Sequence, residues 1–111
     1  MGANREEFLR VLEEQRFEYS RTIAGKIAGM QLLWKSICAS NAGSDDMQRL
    51  VRTAHGLAGS AAIFGLDGLG REARSIEREL AALPAGTPSS RDAVVIGSAI
   101  TGLFAKAETS Q

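Results

Sequence analysis

The segment Thr53-Ala54-His55-Gly56-Leu57-Ala58-Gly59-Ser60-Ala61-Ala62-Ile63-Phe64-Gly65 carries the one histidine of the chain. With Ala54, Leu57 and Ala61 on the core side of a helix, His55 lies about 100° round from Ala54 and points to the flank. Its neighbours on that flank are Val51 and Arg52 one turn before, and Ala58 and Gly59 one turn after. A glycine inside a helix costs about 1 kcal/mol relative to alanine, so Gly59 needs a reason. Beside an exposed imidazole that reason is access, because no side chain then shields the ring. Ser60, Ala61 and Ala62 keep the rest of the turn small. A neutral imidazole has a free nitrogen lone pair and titrates near about 6.5. It therefore suits transient covalent capture of a group, above all a phosphoryl group. The ordinary reading stands beside this one. A lone helical histidine is more often a surface or half-buried residue, and a mid-helix glycine is often a packing point. Spacing alone leaves both open.

The elements that must position His55 are helices. The first covers roughly Asn4 to Gln15, with Asn4 as its cap, Glu6 and Glu7 in its first turn, and a stripe of Phe8, Val11 and Leu12. The second covers roughly Phe17 to Ala39, where Tyr19, Ile23, Ile27, Met30, Trp34 and Ile37 recur at steps of four and three. Asn41-Ala42-Gly43 breaks it. Ser44 is suited to cap the third helix, about 44–64, with Asp45 and Asp46 complementing its dipole. Its seam runs Met47, Leu50 or Val51, Ala54, Leu57 or Ala58, Ala61 and Phe64, and Gly65 ends it. The fourth starts near Asp67 and continues through Leu69, Ala73, Ile76, Leu80 and Leu83. Ala85 to Ser90, with Pro84 just before it, Pro88 and Gly86, reads as a loop. Ser89 and Asp92 form a capping-box variant for a fifth helix, lined by Val94 or Ile96, Ile100, Leu103 and Ala107. Four long helices on short loops pack as an all-α, up-down antiparallel four-helix bundle. The additional short N-terminal helix is expected across one end or flank.

Composition narrows the function. A chain of 111 residues is expected to form one domain, 1–111, around one core. Lys plus Arg is 13 and Asp plus Glu is 13, so no excess of cations is available for a nucleic-acid backbone. Cys38 has no partner for a disulfide, and with His55 it makes no structural zinc set, so no metal is expected. The start, Met1 to Glu7, is polar and charged, unlike a secretory signal, and Glu6 stands where a myristoylation signal needs Ser or Thr. No apolar run is long enough to span a membrane, and a cytoplasmic, reducing location is the default expectation. With no strand and no glycine-rich phosphate loop, ATP binding has no support.

The residues around His55 carry a family resemblance. Ala54-His55, Leu57, Gly59, Ser60, Gly65, Leu69 and Ile76-Glu77 stand at offsets that resemble the histidine phosphotransfer (HPt) domain of multistep two-component phosphorelays. The match covers the third and fourth helices closely. It implies a phosphate shuttle in which His55 takes a phosphoryl group from a receiver-domain aspartate and passes it to another. The implied partners are response-regulator receiver domains and a hybrid sensor histidine kinase. The implied protein is a phosphocarrier with no kinase activity and no cofactor of its own, the Mg²⁺ and acidic pocket belonging to the receiver. One departure matters: the family's usual lysine three residues after the histidine is Ala58 here. Arg52 is the nearest substitute in sequence and Arg74 a weaker one, with solvated surface charge an equal alternative for both. Glu77 occupies the family position facing the histidine, where a carboxylate fixes the ring tautomer. Its plainer reading is an ion pair with Arg74 or Arg78 along its own helix.

Two other readings follow from the same residues. One is a helical adaptor that binds a receiver or kinase without carrying phosphate, which Ala58 favours. The other is a sensor-kinase dimerisation domain, in which an acidic residue follows the histidine and a proline lies five beyond it. Gly56 and Ser60 stand there instead, and a monomer is expected rather than a dimer. Tyr19, Met30 and Trp34 read as packing, Cys38 as a small half-buried residue, and the charges from Arg71 to Glu79 as a solvated face.

Overall fold

Apolar residues at helical spacing form four helices in the computed structural model, which describes residues 2–39 and 44–109. They are α1 (Gly2–Cys38), α2 (Ser44–Ile63), α3 (Asp67–Ala81) and α4 (Ser90–Thr109). Each helix touches two neighbours: α1 packs on α2 and α4, and α3 packs on the same two, while the diagonal pairs do not meet. Cross-helix contacts fix the directions. Tyr19 meets Ser60 and Ser36 meets Asp46, so α1 and α2 run antiparallel. Trp34 reaches Ala93 and Gln31 reaches Thr101, so α1 and α4 do as well. The expected up-down bundle is the observed one.

The core is the set of stripes read from periodicity. Ile23, Ile27, Met30, Trp34 and Ile37 from α1 meet Leu50, Ala54, Leu57, Ala58 and Ala61 from α2. Leu69, Ala73, Ile76 and Leu80 from α3 and Ile96, Ile100 and Leu103 from α4 close it. The alternatives left by the sequence resolve by burial: Leu50 is buried and Val51 only partly, and Ile96 is buried where Val94 is exposed. Each fully buried Leu or Ile contributes about 1.5–3 kcal/mol over its exposed state, so this stripe pattern is what holds the bundle together. The Trp34 indole N–H donates to the Ala93 carbonyl at 3.0 Å, which satisfies the one polar atom on that large core side chain.

Helix ends follow from local chemistry. Gly65 has φ +73°, and the Leu66 amide donates to the Ala61 carbonyl while the Gly65 amide donates to that of Ala62. That pair of bonds is a Schellman ending, which needs a left-handed residue and therefore glycine. At the other end of the loop chemistry, the Asp92 amide donates to the Ser89 hydroxyl at 3.1 Å, capping α4 as its spacing predicts. The expected break at Asn41-Ala42-Gly43 and the side chain of Ser44 lie outside the described residues.

The additional N-terminal helix expected from the sequence is instead the first part of α1. Residues 4–15 and 17–39 were expected as separate helices with Asn4 as a cap, but α1 is continuous from Gly2 to Cys38 and Asn4 lies inside it. The junction Glu14-Gln15-Arg16-Phe17 contains no proline or glycine, so nothing in it favours a break over one more helical turn. At about 1.5 Å per residue α1 is far longer than α2, and the molecule measures 60 × 20 × 17 Å. Phe64, just past α2, stacks on Tyr19, so the part of α1 before Tyr19 extends beyond the end of α2. Of the apolar stripe on this part of the chain, Phe8 and Val11 are exposed there, and Leu12 is half-buried.

Candidate functional site

His55 sits at mid-length on α2, held by Ala54, Leu57 and Ala61, which are wholly buried and fix the rotation of the helix. That rotation turns the ring outward, and its side chain is 76% exposed. Across the α2–α3 seam, Ile76 and Leu80 anchor α3 in the core, and Glu77, the residue after Ile76, is presented to the same flank. Glu77 Oε2 lies 2.8 Å from His55 Nδ1, with the carboxylate side chain only 27% exposed. An ionised carboxylate can only accept, so in the neutral ring this contact favours the tautomer with the proton on Nδ1 and the lone pair on Nε2. Among the described residues, Glu77 makes no ion pair with Arg74 or Arg78. The helix-surface reading of Glu77 is therefore replaced by a cross-helix one.

The neighbours of the ring divide into two groups. Gly59 is exposed, and a Cβ built on it would meet nothing within 4 Å. Packing does not demand glycine at that position, which removes the ordinary explanation for it. Gly56 is equally open. Ala58 takes the seam position that the sequence left open between it and Leu57, both being buried, and Ser60 does not share the flank of the ring. Ala58 is buried at 4% exposure in the α2–α3 seam, where a Cβ added to Gly70 would lie 3.5 Å from the Ala58 carbonyl oxygen. An alanine-sized side chain at Gly70 would still be in ordinary contact with α2, so small residues line this part of the seam without glycine being required there. Ser60 faces the opposite flank, its hydroxyl 2.8 Å from the Tyr19 hydroxyl and donating to the Leu57 carbonyl at 3.4 Å. It ties α1 to α2 and does not meet the imidazole. Burial raises the Tyr19 phenol above its ordinary pKa, against a smaller lowering by the Ser60 hydrogen bond.

Arg52 is exposed one turn before His55 and lines an open groove with Lys26, Arg49, Thr53 and Gly56. The groove is not legible in the sequence because Lys26 comes from α1, and only the antiparallel register brings it beside Arg49 and Arg52 of α2. Cys38 is half-buried at the far end of α1, and burial raises its thiol pKa. Among the described residues no cluster of three or more His, Cys, Asp or Glu side chains could hold a metal ion.

The family model of the Hpt domain matches this chain over residues 6–105. The chain belongs to the Hpt domain family. The match spans all four helices, so it covers the bundle as well as the His55 segment. Comparison with curated proteins found no match, and neither did comparison with solved structures. Hpt domains are phosphotransfer modules of two-component signalling, and this Hpt domain takes that general role. No helix among its described residues is long and apolar enough to cross a membrane.

Proposed function

We propose that this Hpt domain carries a phosphoryl group on His55 Nε2 between receiver-domain aspartates. The observation that supports this most directly is the 2.8 Å contact between His55 Nδ1 and Glu77, which leaves the exposed second nitrogen as the nucleophile. The Nε2 lone pair attacks phosphorus of the receiver's aspartyl phosphate. The bond from phosphorus to the aspartate oxygen breaks, and a phosphorus–nitrogen bond forms. The ring keeps its Nδ1 proton and gains positive charge, which the Glu77 carboxylate faces. In the return step the phosphorus–nitrogen bond breaks, its electron pair goes back to Nε2, and the second receiver's aspartate takes the phosphoryl group. Mg²⁺ and the acidic pocket that steady the transferred group come from the receiver, so the Hpt domain acts as carrier and not as kinase.

The open surface at Gly59 supports close approach by a receiver, and Arg52 is the cation nearest in sequence to the ring in the absence of a lysine at position 58. The test is transfer from a phosphorylated receiver domain of the same genome with Mg²⁺, beside a His55→Ala control. Acid-labile, alkali-stable label on the wild type alone is the expected result. A folded wild type that no receiver labels would favour the adaptor that binds without carrying phosphate.

A further inference from the structure

Lys26, Arg49 and Arg52 converge on a groove of about 430 Å³ between α1 and α2, completed by Thr53 and Gly56. We infer that this cationic groove is an electrostatic docking site for the receiver partner, accepting carboxylates of the receiver's acidic face while His55 meets its phosphoaspartate. The inference rests on the phosphocarrier reading above. Three observations carry it. First, none of the three cations has a carboxylate within 4 Å among the described residues, in a chain whose acidic and basic residues balance at 13 each. Like charges gathered on one groove repel one another, and a carboxylate-bearing surface is the complement that relieves this.

Second, the groove lies at the level of the ring. Gly56 follows His55 directly and Arg52 precedes it by one turn, so the groove and the imidazole occupy adjacent flanks of α2. The crest between them is the open Gly59 surface, so one partner resting on that crest reaches both flanks. Third, the groove is assembled by the bundle. Tyr19 opposite Ser60 and Ser36 opposite Asp46 set a register that brings Lys26 across from Thr53 and Gly56. Three cations are too few to follow a nucleic-acid backbone, whose binding strength grows with the number of phosphates neutralised. They suit a small cluster of carboxylates.

The experiment separates docking from chemistry. Phosphoramidate loads an accessible imidazole without a protein partner: its phosphorus–nitrogen bond breaks, ammonia leaves, and phosphorus bonds to Nε2. The double variant Lys26→Glu, Arg49→Glu changes two exposed residues and keeps His55, Glu77 and Arg52. Its helix content and thermal midpoint, compared with wild type, establish that it is folded. Loading by phosphoramidate should be unchanged in this variant. Transfer from the phosphorylated receiver should show KM raised about tenfold or more at low salt, with kcat retained. The difference should shrink as salt approaches 1 M, where screening shortens to about 3 Å. Unchanged receiver KM overturns the docking site. An equal loss in phosphoramidate loading overturns it too, since the cations would then act on the phosphoryl group itself. A wild type that phosphoramidate cannot load at His55 overturns the carrier reading instead, before any receiver is added.

Discussion

His55 on α2 and Glu77 on α3 are 22 residues apart in sequence, yet Nδ1 and Oε2 meet at 2.8 Å across the seam where Ala58 and Gly70 face each other. In the proposed role the ring needs a fixed tautomer to present one nucleophilic nitrogen, and the small Ala58 and Gly70 line the seam beside that contact. Ala58 lies in this buried seam and carries no charge, so in the proposed role any cation near the phosphoryl group comes from another residue.

Removing the carboxylate should slow chemistry without unfolding the bundle. Glu77→Ala is expected to reduce loading of His55 by about tenfold to a hundredfold, as loss of a ring-orienting partner does elsewhere. Glu77→Gln keeps an oxygen that accepts from Nδ1–H and should retain more activity than alanine. Because the pair is partly solvated, thermal stability should change by no more than about 1 kcal/mol. The tautomer itself is read from ¹⁵N shifts of the imidazole: a mixed population in wild type would contradict the assignment.

Gly59 separates stability from access. Gly59→Ala adds a methyl group into open space and removes a flexible residue from mid-helix, so stability should rise by up to about 1 kcal/mol. Gly59→Arg should also fold, but its side chain would stand on the crest that a receiver approaches. Receiver-dependent transfer should fall strongly while phosphoramidate loading is retained. Transfer by the arginine variant at the wild-type rate would show that this surface is not the approach path.

Tyr19 is the one tyrosine of the chain, so its titration is directly observable. Burial raises its pKa, and the 295 nm absorbance midpoint should lie above the ordinary value of about 10. A phenol that holds its proton more tightly when folded contributes stability below the unfolded pKa, and that contribution is lost as pH rises through the folded one. Tyr19→Phe should keep the stack on Phe64 and lose only the bond to Ser60, costing about 1 kcal/mol in urea denaturation. His55 loading should not change, because Ser60 does not meet the ring.

The protruding part of α1 makes a contrasting prediction. Phe8 is 62% exposed, so Phe8→Ser should leave the urea midpoint nearly unchanged. Ile27 is wholly buried, and Ile27→Ala should cost about 2–5 kcal/mol through lost burial and the cavity left behind. Comparable losses from the two substitutions would mean that Phe8 is packed against the bundle in solution.

Much of this protein was determined by local pattern. Apolar steps of three and four name the buried face of each helix, and that face fixes where His55 points. Gly65 and the Ser89–Asp92 pair mark helix ends because a left-handed turn and a capped amide depend only on residues a few positions apart. The absence of a breaker between Glu14 and Phe17 was equally visible, but amphipathic pattern cannot say whether two stripes belong to one helix or two. Whether Phe8 is covered depended on how far α2 reaches, which is a property of the assembled bundle. Tertiary structure alone decided that Glu77 meets His55 rather than Arg74, that Ser60 is turned to Tyr19, and that Lys26 joins Arg49 and Arg52. Each of these is a relation between different helices. Helical periodicity states which side of a helix is apolar, whereas interhelical register and rotation, set by how side chains pack, state what each flank meets.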